Sequence, residues 1–346
     1  MLPSAVLRKQ LTSAGPTLAQ GLAYATDLVR RADHEAIYAS YFYPAAVRPA
    51  YLALRALNVE LAGLPDQVSN QMVGRMRYQW WKDAVKDVFE GKPHAHPLVS
   101  LIAHLPQRPF LSPYHFSRLI AAREAHFLNP TFSTLRDLAD YSSGTQASLL
   151  YLLLQVTAGS PFAGTAVTES GSFGELRHAK PFEHVGGEHD RVTKIQQPAK
   201  PADDLVLDHA ASHLAVAVTI TTLLRSIPFH AARRVNVIPL EVAGRHALQE
   251  ESLFRNGPEA RGLQDAVATL VGIAEAELKT ARQCFDGTTG LPARAIPVFL
   301  AATPSRSFLE RLSSSRVDYN PFDSSLQKRY WKLPFQVWSD ARKGRF

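Results

Sequence analysis

From Val68 to Val88 an apolar residue recurs at every fourth position: Val68, Met72, Met76, Trp80, Ala84 and Val88. Successive residues advance about 100° around an α-helix, so this spacing gathers side chains on one face, whereas a strand requires alternation at every second residue. Gly91, Pro93 and Pro97 mark the end of the segment. The stripe predicts that Trp80 packs inward. Trp81, about 100° further around, is then the outward candidate and, with Arg75 and Arg77, a partner-binding surface of the aromatic and arginine kind common at interfaces.

The same period returns over Thr17–Arg31, Ala46–Ala62, Pro113–Phe127, Thr134–Val156, Leu205–Arg225 and Glu259–Phe285. Thr134 followed by Asp137 reads as a helix start. No alternating run is long enough to build a sheet, and no internal repeat is present, so the expected class is all-α. With 346 residues and 46% hydrophobic composition, the chain can bury a sizeable core. One helical domain is expected over residues 27–312. Apolar runs such as Leu149–Leu154 stop short of the roughly 20 residues a bilayer requires, so the chain reads as soluble or peripheral. Between residues 158 and 204 the composition turns to Gly, Ser, Pro, His and Lys, which reads as a flexible insertion between core helices. Glu183, His184, Glu188, His189 and Asp190 fall there and read as solvated loop residues.

One cysteine, Cys284, excludes an internal disulfide and argues against a cysteine-based zinc site. His209 and His213 share a helix face, but with no third ligand signalled they read as packed or hydrogen-bonded side chains. No metal and no cofactor is expected. The formal charge is +7, and residues 313–346 form a basic, aromatic tail. From Ala301 onward nine Lys/Arg stand against four Asp/Glu. Trp331, Phe335 and Trp338 lie among these cations, which suits a membrane interface or a terminal helix docked on the body; no nucleic-acid motif accompanies them. Residues 1–26 contain Arg8, Lys9 and several Ser/Thr with no acid before Asp27. That is the composition of a mitochondrial targeting segment, or of an ordinary N-terminus feeding a first helix.

Three strings in order resemble the squalene/phytoene synthase family. Tyr43-Pro44-(x)3-Arg48-(x)2-Tyr51-(x)2-Leu54-Arg55-Ala56-Leu57 resembles the family's opening helix. Tyr141-Ser142-Ser143-Gly144-Thr145 stands where the family has "YCY.VAG". Ile220-Thr221-Thr222-Leu223-Leu224-Arg225 resembles "LTNILRD", followed at family spacing by Val237-Ile238-Pro239. The resemblance runs from about residue 33 to 299. It implies an isoprenoid-synthase-like helical bundle, and chemistry in which two aspartate-rich motifs hold Mg²⁺ against prenyl diphosphates.

Laid on the first motif, "DDIVD", this chain reads Ala62-Gly63-Leu64-Pro65-Asp66, and only Asp66 is acidic. On the second, Ser226, Phe229 and His230 stand where the resemblance implies acids. Gly63, Pro65 and Pro228 are expected to break the helices that would present the motifs. The chain therefore reads as a pseudoenzyme. Asn58-Val59-Glu60-Leu61-Ala62, Met76-Arg77-Tyr78-Gln79-Trp80-Trp81 and Pro228-(x)-His230 resemble a narrower branch of the family that serves assembly of respiratory complex I. That resemblance implies mitochondria, the matrix side of the inner membrane, peripheral membrane association, and a membrane-arm subunit or assembly intermediate as partner. The former active-site pocket is left open to a lipid or isoprenoid. The rival reading is an active Mg-dependent prenyltransferase using displaced acids such as Glu60, Asp66, Asp83 or Glu124. Two acid clusters facing one cavity would support it.

Overall fold

Thr17 and Gln20 cap each other, Gln20 N donating to Thr17 Oγ1 at 3.2 Å and Thr17 N to Gln20 Oε1 at 2.8 Å. This reciprocal box satisfies two of the donors that a helix start leaves open and begins α1 (Leu18–Ala32). The computed structural model describes residues 16–159, 202–286 and 290–346. In chain order there follow α2 (His34–Ser40), α3 (Arg48–Gln67), α4 (Gln71–Phe89), α5 (Pro97–Ala103), α6 (Pro113–Leu128), α7 (Leu135–Ser142) and α8 (Ser148–Ala158). After them come α9 (Ala202–Ala231), α10 (Leu240–Arg245), α11 (Glu250–Asn256), α12 (Leu263–Gln283), α13 (Ile296–Phe299), α14 (Ala302–Leu312), α15 (Ser324–Gln327) and α16 (Leu333–Lys343). No strand occurs among the described residues, and the expected all-α class is borne out. Thr134 caps α7 as its spacing with Asp137 predicts.

The 30-residue α9 is the spine. It packs most extensively on α12, and also on α14 and on the π-helical turn Ser143–Ala147 that joins α7 to α8. Gly144 lies in that turn, where a Cβ would stand 2.5 Å from the Ala122 Cβ of α6. Only glycine permits this approach, which brings α6 against the turn. On the other side α1 packs on α3 and α5, and α4 on α6.

Several expectations change here. By length and composition α9 is apolar enough to cross a membrane, contrary to the reading that no segment comes near that. Half of its apolar window is buried inside the body, however. Its apolar character serves a helix packed on several sides. The boundary placed after residue 26 falls inside α1, whose Gly21, Ala25 and Val29 are buried. Of the residues beyond 312, read as a basic, aromatic tail, Leu326, Leu333 and Val337 join the core. Glu183, His184, Glu188, His189 and Asp190 lie outside the described residues.

The outward and inward faces of α4 are the reverse of those expected. Trp81 is only 4% exposed, while Trp80, Met76 and Met72 are 37%, 67% and 74% exposed. A four-residue step overshoots one turn by about 40°, so the stripe winds around the helix. Its later members, Ala84 and Val88, are buried and its early ones are not. The inward face is Gly74, Tyr78, Trp81, Val85 and Val88. Arg75 and Arg77 are on the surface as expected.

The helices also run on through the residues expected to break them. α3 continues past Gly63 and Pro65 to Gln67, and α9 past Pro228 to Ala231. Pro65 lies in the last turn and has no N–H for the carbonyl of Leu61 four residues back. The Tyr78 hydroxyl, from α4, donates to that carbonyl at 3.1 Å. Tyr78→Phe would leave a buried acceptor without its donor, and is expected to lower stability by about 1–3 kcal/mol, read as a shifted urea midpoint at unchanged slope.

Candidate functional site

α3 and α9 contribute the residues that resemble the two family motifs, and between them lies a cavity of about 560 Å³. Ala62, Gly63 and Ser226 line it together. Its charged lining comes from Asp33, Glu35, Arg55, Arg123 and Arg225, with apolar walls from Leu153, Val218, Val298 and Val337.

The charges are paired across helices. Arg55 of α3 donates to Asp33 Oδ2 from Nε at 2.8 Å and also from Nη2. Arg225 of α9 donates from Nη1 to Glu35 Oε2 at 2.7 Å. The two acids flank His34, the first residue of α2, so one short helix end accepts an arginine from each long helix. Burial pushes the Asp33 carboxyl up while Arg55 pulls it down. Burial, the largest single effect, would lower the Arg55 guanidinium, yet the charge and hydrogen bond of Asp33 together with Tyr51 and Tyr43 raise the group. A guanidinium does not give up its proton in proteins, and two of its N–H groups converge on one oxygen; the pair is ionic. Arg123 of α6 spans the cavity differently, donating to Asn58 Oδ1 at 2.9 Å and to the Tyr141 hydroxyl at 2.6 Å. The hydroxyl of Tyr43 and Nε of Arg123 are buried without a hydrogen-bond partner, and both residues line the cavity.

Asp66, Phe229 and His230 gather apart from this lining. Arg233 Nε lies 4.0 Å from Asp66 Oδ1 and its guanidinium 3.5 Å from the centre of the Phe229 ring. Burial lowers the His230 imidazole, Asp66 opposing and Arg233 adding to the effect. The four acids weighed for a working metal site are dispersed among separate partners. Glu60 accepts from the Tyr24 hydroxyl, Asp83 from Gln79 at 2.9 Å, Glu124 from Lys82 at 2.5 Å, and Asp66 pairs with Arg233. No group of three or more His, Cys, Asp or Glu suited to a metal ion occurs among the described residues. His209 and His213 touch through their Nε2 atoms at 3.1 Å, with Glu277 held on His213 Nδ1 at 2.6 Å.

The paired arginines and their acids escaped the sequence reading. Their signal was present: Arg55 interrupts the otherwise apolar Leu52-Ala53-Leu54 and Ala56-Leu57, and a lone charge on a buried face requires a partner. Of the tail aromatics, Trp331, Phe335 and Trp338 are exposed at 70%, 67% and 53%.

A family model described as squalene/phytoene synthase matches residues 29–335. The chain is 29% identical over 344 residues to "NADH dehydrogenase (ubiquinone) complex I, assembly factor 6" of Mus musculus, covering 99% of this chain and 89% of that protein. The Homo sapiens protein of the same name is 29% identical over 315 residues, with 91% and 80% covered. Among solved structures, squalene synthase HpnC from Alicyclobacillus acidocaldarius superposes with a TM-score of 0.64 at 17% identity, covering 88% of this chain and 97% of that one. A dehydrosqualene synthase in complex with ligand gives 0.68 at 17% identity, covering 94% and 96%. At such identity these two establish the fold alone.

Two outcomes follow from the charges. Asp33→Asn strands the buried Arg55 and is expected to cost about 3–5 kcal/mol, whereas Asp66→Asn, at an exposed pair, should cost less than about 1 kcal/mol; denaturant melts of the two variants compare them. His126 stacks on Phe132 at 4.7 Å, and burial, then Arg123 and His230, lower it from 6.5 to about 4. The folded state thus resists protonation that the unfolded chain accepts. The stabilisation is complete above pH 6.5 and is lost as pH falls towards 4. The loss is on the order of 3 kcal/mol, and His126→Phe should flatten the pH dependence of the urea midpoint across that window.

Proposed function

The chain belongs to the squalene/phytoene synthase family, and from that premise we propose that it is a non-catalytic member: a mitochondrial complex I assembly factor. It acts at the matrix side of the inner membrane and supports a membrane-arm subunit or an intermediate containing one. The observation that carries the non-catalytic reading is the lining of the cavity between α3 and α9. Ala62, Gly63 and Ser226 face it from the motif positions, and none of them supplies the carboxylate that anchors a hard cation in such motifs. The two acids that do line the cavity, Asp33 and Glu35, are each engaged by an arginine. A divalent cation there would share each acid with a guanidinium already held on one of its oxygens. These residues do not fit the magnesium that the family's enzymes require.

The assembly role is supported by the relatives that bear that name and are matched over most of their length in mouse, human and Dictyostelium discoideum, the last at 65% of its length. The same cavity is proposed to hold a lipid or isoprenoid without turning it over. The unpartnered Tyr43 hydroxyl and Arg123 Nε offer donors to a polar head, and the apolar walls suit a chain. Mass spectrometry of extracts from purified protein tests this.

For the main proposal, the gene is deleted and complex I is resolved on native gels, with rescue by wild type or by Glu60→Ala/Asp66→Ala. The expected result is loss of complex I in the deletion and equal rescue by both. Intact complex I in the deletion would sink the assembly role. A folded double variant that fails to rescue would restore acid-dependent chemistry as the better reading.

A further inference from the structure

The last helix presents two opposed faces. Leu333, Val337 and Asp340 point into the body. On the opposite side Phe335 and Trp338 stand one turn apart with Arg342 one turn further, and Trp331 precedes them on the same side. The three rings are among the most exposed large apolar side chains in the molecule. Each tryptophan carries a cation against its face, Lys332 at 5.4 Å from the Trp331 ring centre and Arg342 at 5.1 Å from that of Trp338. Lys328, Arg329, Lys343 and Arg345 are exposed around them.

The neighbouring acids do not offset this charge. Asp340 is buried, accepting from Arg306 at 2.6 Å and from Thr303 at 2.8 Å. Glu310 pairs with the same Arg306 at 3.4 Å. Asp323 is turned to its own helix start, accepting from Ser325 N at 2.8 Å. Asp318 is exposed but lies before this stretch, and the exposed side chains from Trp331 to Arg345 are all aromatic or basic.

We propose that this face, formed by Trp331, Phe335, Trp338, Lys332, Arg342 and Lys343, is a docking surface for an anionic phospholipid bilayer. The proposal rests on the inner-membrane siting given above and assigns the element that makes the contact. Tryptophan and phenylalanine beside long cationic side chains match the interfacial zone. There the rings sit at headgroup depth and the cations meet phosphate. Charge complementarity selects an anionic surface over a neutral one. Trp331 and Phe335 edge a short, open depression with Lys332, Arg306 and Arg345, whereas Trp338 stands outside it, so the rings do not form the continuous channel along which successive bases stack. Because Leu333 and Val337 already fix the helix on the body, binding carries no cost of folding it.

The test uses the full chain and sedimentation with vesicles of phosphatidylcholine alone or mixed with phosphatidylglycerol. Binding is expected to the mixed vesicles only, with a blue shift of tryptophan emission. Trp331→Ser/Phe335→Ser/Trp338→Ser should abolish both. Lys332→Gln/Arg342→Gln/Lys343→Gln should weaken binding about a hundredfold, at about fivefold per charge near an anionic surface. Met72→Ser/Met76→Ser, an equally exposed apolar pair elsewhere, should bind as wild type. Undiminished binding by the aromatic variant overturns the assignment, as does absence of binding to mixed vesicles, including the case in which the basic face captures single-stranded RNA instead. The complex I rescue separates the two proposals. An aromatic variant that loses vesicle binding yet restores complex I fully leaves the assembly role standing and removes the membrane contact from it. Vesicle binding by a chain whose deletion leaves complex I intact does the reverse.

Discussion

Two arginines on two long helices reach the same helix end, and the interior is organised around that meeting. Arg55 from α3 and Arg225 from α9 converge on Asp33 and Glu35, two residues apart at the start of α2. Buried ion pairs contribute little net stability against a well-packed apolar alternative, but breaking one is expensive. Their effect here is geometric. Each pair ties one long helix to the start of α2, so α3 and α9 share a common polar anchor beside the cavity. Arg123, from the third side, adds neutral partners in Asn58 and Tyr141.

That arrangement changes what the shared fold can do. A bundle that resembles squalene and dehydrosqualene synthases in outline has an interior whose carboxylates are already neutralised by side chains of the same chain. An anion or an apolar guest finds two buried donors without partners, Tyr43 and Arg123. The fold alone does not decide the chemistry: the helices are those of the family, and the proposed function rests on the polar groups between them.

The all-α class was legible because helix period dominates the sequence, and Thr134 with Asp137 marked a helix start in plain view. The inward face of α4 was not. A strict four-residue repeat and a 3.6-residue turn drift apart, so Met72 and Val88 belong to different sides although the spacing groups them. The continuation of α3 was also invisible locally, because the donor that replaces the Pro65 N–H comes from Tyr78, thirteen residues on. Proline rules describe the isolated helix, and here another helix supplies what proline withholds. The ion pairs lay within the strings that carried the family resemblance, but a buried charge names its need for a partner without naming the partner. For the motif positions Ala62, Gly63 and Ser226 the structure adds their shared cavity, which spacing alone does not give.

The spine helix has a consequence for the birth of the protein. α9 is long and apolar enough to partition into lipid, and its main packing partner, α12, lies later in the chain. A nascent or incoming polypeptide therefore exposes a bilayer-competent segment before the surface that shelters it exists. Until Gln283 has been added, α9 lacks the main surface that buries it.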